Sequence, residues 1–228
     1  MKKRKMMITI AVILTVVLAG SQIGYAANAD YGINSLNTRR LNYWYSDVPT
    51  NGEYKLGRFE DNTASLQVNK LNVNIMFHFS AGMKEARTKW EDALNITIST
   101  VSTSASSADI RFWGGTTEEI NALGIFVVGS GVTGNTTITE VNDSEDWIYG
   151  GTTIDAVIHK RVTGYIIDND RSADSYIKTC IHELGHALGW RGHSSVTSDI
   201  MYSIESEVTT LTNRDKLHLS QAYNRSDY

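Results

Sequence analysis

The stretch Cys180–His193 reads CIHELGHALGWRGH and contains three of the six histidines in this 228-residue chain. On a helix, residues four apart differ by about 40° in rotation and by about 6 Å along the axis. His182 and His186 therefore project from one face, and Glu183 lies at the edge of that face. Two imidazoles and an acid at this spacing are typical of a zinc site in which the acid reaches a metal-bound water.

Two histidines do not complete such a site, and the rest of the stretch offers a third. Gly189 is suited to end the helix, because glycine accepts the left-handed backbone of a helix C-terminus. The chain then turns, and His193 becomes the third ligand, with a fourth position open for water. Zn²⁺ is the expected ion because imidazole suits it. The alternative third ligand is a more distant acid, Glu205 or Glu207.

The N-terminus has the features of a secretory signal peptide. Four basic residues precede an apolar run over 6–20, and small residues at 24–26 have the spacing of a cleavage site. We therefore expect residues 1–26 to be removed and 27–228 to form a single secreted domain. An uncleaved membrane anchor is the alternative, although the apolar run is short for a full span.

The charge balance excludes some classes of partner. The signal peptide carries four of the 21 basic residues and no acid, which leaves 17 basic against 25 acidic residues and a formal charge of −8. This argues against nucleic acid and against an anionic membrane as partners. Cys180 is the only cysteine, so an internal disulfide is impossible. We expect a monomer.

Periodicity predicts one α+β domain, with helices packed on a twisted mixed sheet. The predicted strands cover 40–46, 71–79, 96–101, 108–113, 125–128, 136–141, 154–159 and 162–167. The predicted helices cover 81–94, 173–188 and a final segment that follows Thr212 as N-cap and ends near Tyr223.

The central stretch resembles the metzincin metalloproteases, most closely the matrixin branch. The metzincin signature is His-Glu-x-x-His-x-x-Gly-x-x-His, followed by a methionine turn. Four positions match it on the helix: His182, Glu183, His186 and Gly189. The segment Ser198–Tyr202, which contains Met201, resembles the methionine turn.

The chain departs from the signature between Gly189 and His193, where it has three residues and not two. One extra residue adds up to about 3.5 Å of extended chain. The loop must therefore bulge if His193 is to bind the metal, and Gly192 is the residue type that permits a bulge there.

The resemblance implies a secreted zinc metalloendopeptidase. In this reading Glu183 is the general base that takes a proton from a metal-activated water. Met201 forms a hydrophobic floor under the zinc, and the substrate pocket is shaped by Tyr202, Ser203 and Ile204. The protein or peptide substrate lies as an extra strand along a sheet edge, which we expect at 125–131.

Two alternatives to an endopeptidase remain. One is a secreted zinc-binding or adhesion module without catalysis, although the presence of Glu183 argues against it. The other is a zinc hydrolase of non-peptide amides. Ca²⁺ is a further possible ligand at Asp168 and Asp170, although two acids in a turn are more often helix caps.

Overall fold

The structure is a computed structural model that describes residues 54–72, 76–103, 107–149, 152–169, 171–190, 193–194 and 196–223. The predicted signal peptide and the predicted strand over 40–46 lie outside the described residues. The prediction of one domain over 27–228 stays a prediction. Among the described residues, no helix is both long enough and apolar enough to cross a membrane.

Six strands and four helices form the described fold. In chain order they are β1 (Tyr54–Phe59), a 3₁₀ turn (Glu60–Asn62), β2 (Thr63–Lys70), α1 (Met76–Leu94), β3 (Thr97–Val101), β4 (Ile110–Gly115), α2 (Thr117–Ala122), β5 (Gly134–Tyr149), β6 (Thr152–Ile167), α3 (Ala173–Leu188) and α4 (Asn213–Tyr223).

The sheet contains both parallel and antiparallel pairs, and β6 pairs with three other strands. β4 pairs in parallel with the second half of β6, and β1 pairs in parallel with its first half. β2 and β3 continue the sheet beyond β4. β5 pairs antiparallel with β6 along nearly its whole length, and in the described part of the chain it pairs with no other strand. Among the described residues, one edge of β5 is therefore open.

Helices α1, α3 and α4 pack on one face of the sheet and enclose the main hydrophobic core. Side chains of β6 alternate between faces, as a strand requires. Val162 and Ile166 join the main core, whereas Tyr165 and Ile167 join a smaller cluster with Ile120 of α2. The predicted α+β class and its three main helices are confirmed.

The predicted strand over 71–79 is wrong over its second part, because α1 begins at Met76. Its last alternating residue, Phe79, instead starts a helical series. Phe79, Met83, Ala86, Trp90 and Leu94 recur at spacings of three and four, and all are fully buried. A short apolar run fits either period, and packing against α3 favours the helix.

The predicted strand over 125–128 is also wrong, because this segment has no regular structure. Its four apolar residues divide between two sides of the loop: Phe126 and Val128 pack on the smaller cluster, while Ile125 and Val127 are 58% and 93% exposed. The two strands predicted over 154–167 are one strand, β6.

Tyr223 of α4 joins three elements through its buried hydroxyl group. The hydroxyl donates a hydrogen bond to the Leu188 carbonyl at 2.5 Å and accepts one from the Phe59 amide at 3.1 Å. Leu188 is the last residue of α3, and the last four carbonyl groups of a helix have no hydrogen-bond partner inside it. Tyr223 therefore holds the end of the histidine-bearing helix against β1.

We expect Tyr223→Phe to lower the free energy of unfolding by about 2 kcal/mol, because it leaves a buried donor and a buried acceptor unpaired. Urea unfolding measures this as a lower midpoint at an unchanged slope. A loss below about 0.5 kcal/mol would show that water replaces the hydroxyl and that the contact is not needed.

Candidate metal centre

Helix α3 carries the first two histidines and has well-defined ends. Ser172 caps its start by accepting a hydrogen bond from the Ser175 amide at 3.2 Å. Gly189 ends it with φ of 123°, a backbone conformation that favours glycine. The predicted helix over 173–188 and its glycine stop are confirmed. His182 and His186 lie one turn apart, with their Nε2 atoms separated by 3.0 Å.

The other ring nitrogens determine the tautomers of these two histidines. Nδ1 of His182 lies 2.8 Å from the Ile200 carbonyl, and Nδ1 of His186 lies 2.9 Å from the Trp190 carbonyl. A carbonyl only accepts, so each Nδ1 carries a hydrogen and each Nε2 of the neutral ring is an acceptor. When both rings are neutral, two acceptor nitrogens therefore face each other at this distance and repel. A bound metal ion would relieve this repulsion.

His193 completes the cluster. Its ring centroid lies 5.2 Å from that of His182 and 5.0 Å from that of His186. One nitrogen from each of the three rings falls within 4.8 Å of the others, the arrangement expected of a three-histidine site. The bulge predicted at Gly192 lies outside the described residues.

Burial keeps these imidazoles in the form that binds metal. Burial, and then the charges of His186, Lys178 and His193, hold the pKa of His182 well below its usual value. Burial, followed by the charge of Lys178, lowers the pKa of His193 to about 4. Both rings are therefore neutral near pH 7, and a metal ion need not displace a proton from either. The donor set fits Zn²⁺.

Glu183 is buried beside the histidines, with 6% of its surface exposed. The hydroxyl of Thr136 donates to its carboxylate at 2.7 Å. Burial raises the pKa of Glu183 to about 7, although the Thr136 hydrogen bond and the charges of Lys178 and Arg171 oppose the shift. A carboxyl with this pKa can both accept and return a proton near neutrality.

Strand β5 lies directly against the active face of α3. A Cβ atom added to Gly134 would come within 2.8 Å of Cγ of Glu183, so this close approach requires glycine. The segment 125–131, predicted as the substrate edge, is not a strand, and the strand that lies beside Glu183 is β5, at Gly134–Thr136. Nothing local in the sequence marks Thr136, which is 47 residues from Glu183.

Met201 packs against Gly185 of α3, in the segment where the methionine turn was expected. It is fully buried, and its sulfur is only 2.7 Å from the position that a Cβ atom on Gly185 would take. Asp215 of α4 accepts hydrogen bonds from the amides of Ile200 and Met201 at 3.1 and 3.2 Å. The same carboxylate caps its own helix through Thr212, as predicted.

The predicted pocket residues Tyr202, Ser203 and Ile204 follow Met201, and the last two are exposed. Buried Lys178 of α3 donates to the carbonyls of Tyr202 and Ile204 at 2.7 and 3.2 Å. The structure thus places the segment beside the site, and its role in substrate binding stays a prediction.

The alternative ligands lie elsewhere. Glu205 accepts a hydrogen bond from Ser175, and Glu207 is exposed outside the histidine cluster. Of the acids predicted as possible Ca²⁺ ligands, Asp168 lies in a half-buried turn. Asp170 lies outside the described residues, so the Ca²⁺ site stays untested.

Comparison with known proteins places this geometry in a family. No curated protein sequence matches the chain. Among solved structures, that of myroilysin is similar with 16% sequence identity and a TM-score of 0.40, over 74% of this chain and 96% of that chain. A family model described as Matrixin matches residues 63–224, which include the sheet from β2 onwards, the three histidines and α4. The chain therefore belongs to the matrixin family of metallopeptidases.

Proposed function

We propose that this protein is a secreted zinc-dependent endopeptidase in which His182, His186 and His193 hold one Zn²⁺ and Glu183 is the general base. The observation that carries the proposal is the pair of Nε2 acceptors 3.0 Å apart, directly beside a buried carboxyl. Secretion rests on the signal peptide predicted at residues 1–26.

Bound Zn²⁺ would supply Lewis acidity that polarises a peptide carbonyl and lowers the pKa of a water to about 7. Residues of the chain itself transfer the proton and hold the base in position. Glu183 takes a proton from the attacking water at a carboxylate oxygen and delivers it to the leaving amine nitrogen. Thr136 holds that carboxylate in place through its hydrogen bond.

The open edge of β5 is the proposed site for the substrate backbone. An extended peptide paired there runs past Gly134 and Thr136, and therefore past Glu183. The segment Tyr202–Ile204 is held to α3 through Lys178 and would contact side chains of the substrate. A protein or peptide, bound as a strand, fits this edge better than a small amide does.

We expect one zinc per chain in the purified protein, and loss of peptide hydrolysis when a chelator removes it. Addition of one equivalent of Zn²⁺ should restore cleavage, because the three-histidine site is already assembled. Metal analysis and hydrolysis of an unstructured protein such as casein measure the two quantities together.

The same experiment distinguishes the alternatives. A zinc-loaded protein that cleaves no protein or peptide would contradict the endopeptidase proposal. Cleavage of non-peptide amides alone would then favour the amide hydrolase, and no cleavage of either would favour a binding module. Mass spectrometry of protein from the culture medium tests secretion, with loss of residues 1–26 as the expected result.

A further inference from the structure

Ser194, which directly follows His193, is buried and fixed by three hydrogen bonds. Its amide donates to the Met201 carbonyl at 2.7 Å. Its hydroxyl donates to Oδ2 of Asp199 at 2.5 Å and accepts from the Val196 amide at 3.1 Å. The chain beyond His193 therefore has a defined path.

Asp199 is a completely buried carboxylate at the centre of these contacts. Besides Ser194 it accepts a hydrogen bond from the Thr212 hydroxyl at 2.8 Å. A buried carboxylate with no cation nearby would be strongly destabilising. Arg214 of α4 supplies the cation and donates from Nε at 2.9 Å and from Nη2 at 2.8 Å. This bidentate geometry is the strongest kind of ion pair between these side chains.

The contacts of Ser194 matter because of the extra residue before His193. His182 and His186 project from a capped helix, and a carbonyl orients the ring of each. His193 follows a segment one residue longer than the family signature, so the spacing from Gly189 does not define its position. The position of His193 is instead constrained from its C-terminal side, where Ser194 is fixed by its hydrogen bonds.

We propose that Asp199, held by Arg214, is a positioning residue that fixes His193 for metal binding through Ser194. The inference rests on the proposed function, because it concerns the third ligand of the same Zn²⁺. Arg214 belongs to α4, whose next residue, Asp215, holds Ile200 and thereby the carbonyl partner of His182. Helix α4 thus supports two of the three ligands from outside the site.

Zinc affinity, measured by competition with a coloured chelator, tests the proposal without any need for peptide hydrolysis. Ser194→Ala should weaken zinc binding by about 10–100-fold, the usual effect of removing a partner that orients a ligand. Arg214→Gln should act in the same direction, because Asp199 would lose its cation. Arg214 is partly exposed and avoids the folding risk of a change at buried Asp199.

The decisive measurement repeats Ser194→Ala in a His193→Ala background. If Ser194 acts through His193, it should have no further effect on zinc affinity there. The Co²⁺-loaded protein gives a second readout, because its visible absorption reports whether three nitrogens remain bound. The spectrum of Ser194→Ala should move towards that of His193→Ala.

Ser65→Ala is the matched control, because the Ser65 hydroxyl makes the same kind of hydrogen bond to Asp109 at 2.7 Å, far from the site. It should leave zinc affinity unchanged. Unchanged affinity in both Ser194→Ala and Arg214→Gln would overturn the proposal, as would an equal loss with and without His193. A wild-type protein that binds no zinc would overturn the proposed function as well.

Discussion

Glu183→Ala should lower kcat/KM for peptide hydrolysis by about 10²–10⁴-fold, the usual contribution of a positioned acid–base group. The reason lies in the site: Glu183 is a buried carboxyl that directly follows His182 on the helix, and the histidine cluster itself includes no acid among the described residues. Among the described residues, Glu183 is therefore the carboxyl that we expect to take the proton from water and to return it to the leaving amine. Steady-state hydrolysis of a fluorogenic peptide measures the loss.

Zinc content distinguishes this result from collapse of the site. Glu183 is not among the clustered ligands, so the variant should still bind one zinc per chain. Glu183→Gln keeps the shape and the contact with Thr136 but cannot accept the proton, and it should lose activity to a similar degree. Glu118→Ala, at an exposed acid on α2, is the control and should leave hydrolysis unchanged. Activity within about threefold of wild type in Glu183→Ala would contradict the general-base role.

The helix of the candidate site could be predicted from sequence because its determinants are local. The ligand spacing, the Ser172 cap and the Gly189 stop all act within one or two turns of the residues that they affect. The cap of α4 was predictable for the same reason: Thr212 and Asp215 are three residues apart. The methionine turn followed from the family motif.

The contacts that orient the site could not be predicted, because they join residues far apart in the chain. Thr136 meets Glu183 only when β5 packs on α3, and Gly134 permits that approach. Asp199 meets Arg214 only when α4 returns to the methionine turn. No periodicity or motif around Thr136 or Asp199 indicates which distant residue each one contacts.

Errors in the predicted strands have a related cause. Residues 71–79 alternate and residues 125–128 form a short apolar run, but a pattern over so few positions does not reveal what covers each face. The end of the first segment belongs to helix α1, which packs against α3. The second segment is a loop in which two side chains, Phe126 and Val128, point inward. The expectation of an edge strand over 125–131 failed for the same reason, since an edge strand can be recognised only once the sheet order is known.

His186→Ala should abolish high-affinity zinc binding, with a larger loss than the roughly 10–100-fold expected for an orienting partner. His186 contributes one of the two Nε2 atoms that face each other at 3.0 Å, and its removal leaves no pair on the helix. Peptide hydrolysis should fall to the background rate. His182→Ala should behave in the same way, because the two residues occupy equivalent positions one turn apart.

Thermal unfolding tests this prediction independently of catalysis. A ligand that binds only the folded state, at 100 times its Kd, stabilises that state by about 2.7 kcal/mol, so zinc should raise the Tm of the wild type. In His186→Ala this increase should disappear. His78→Ala, at an exposed histidine on α1 outside the cluster, should retain it. An undiminished increase in His186→Ala would mean that the stabilising metal is bound elsewhere, because a site that has lost one of two facing nitrogens cannot keep the full binding free energy.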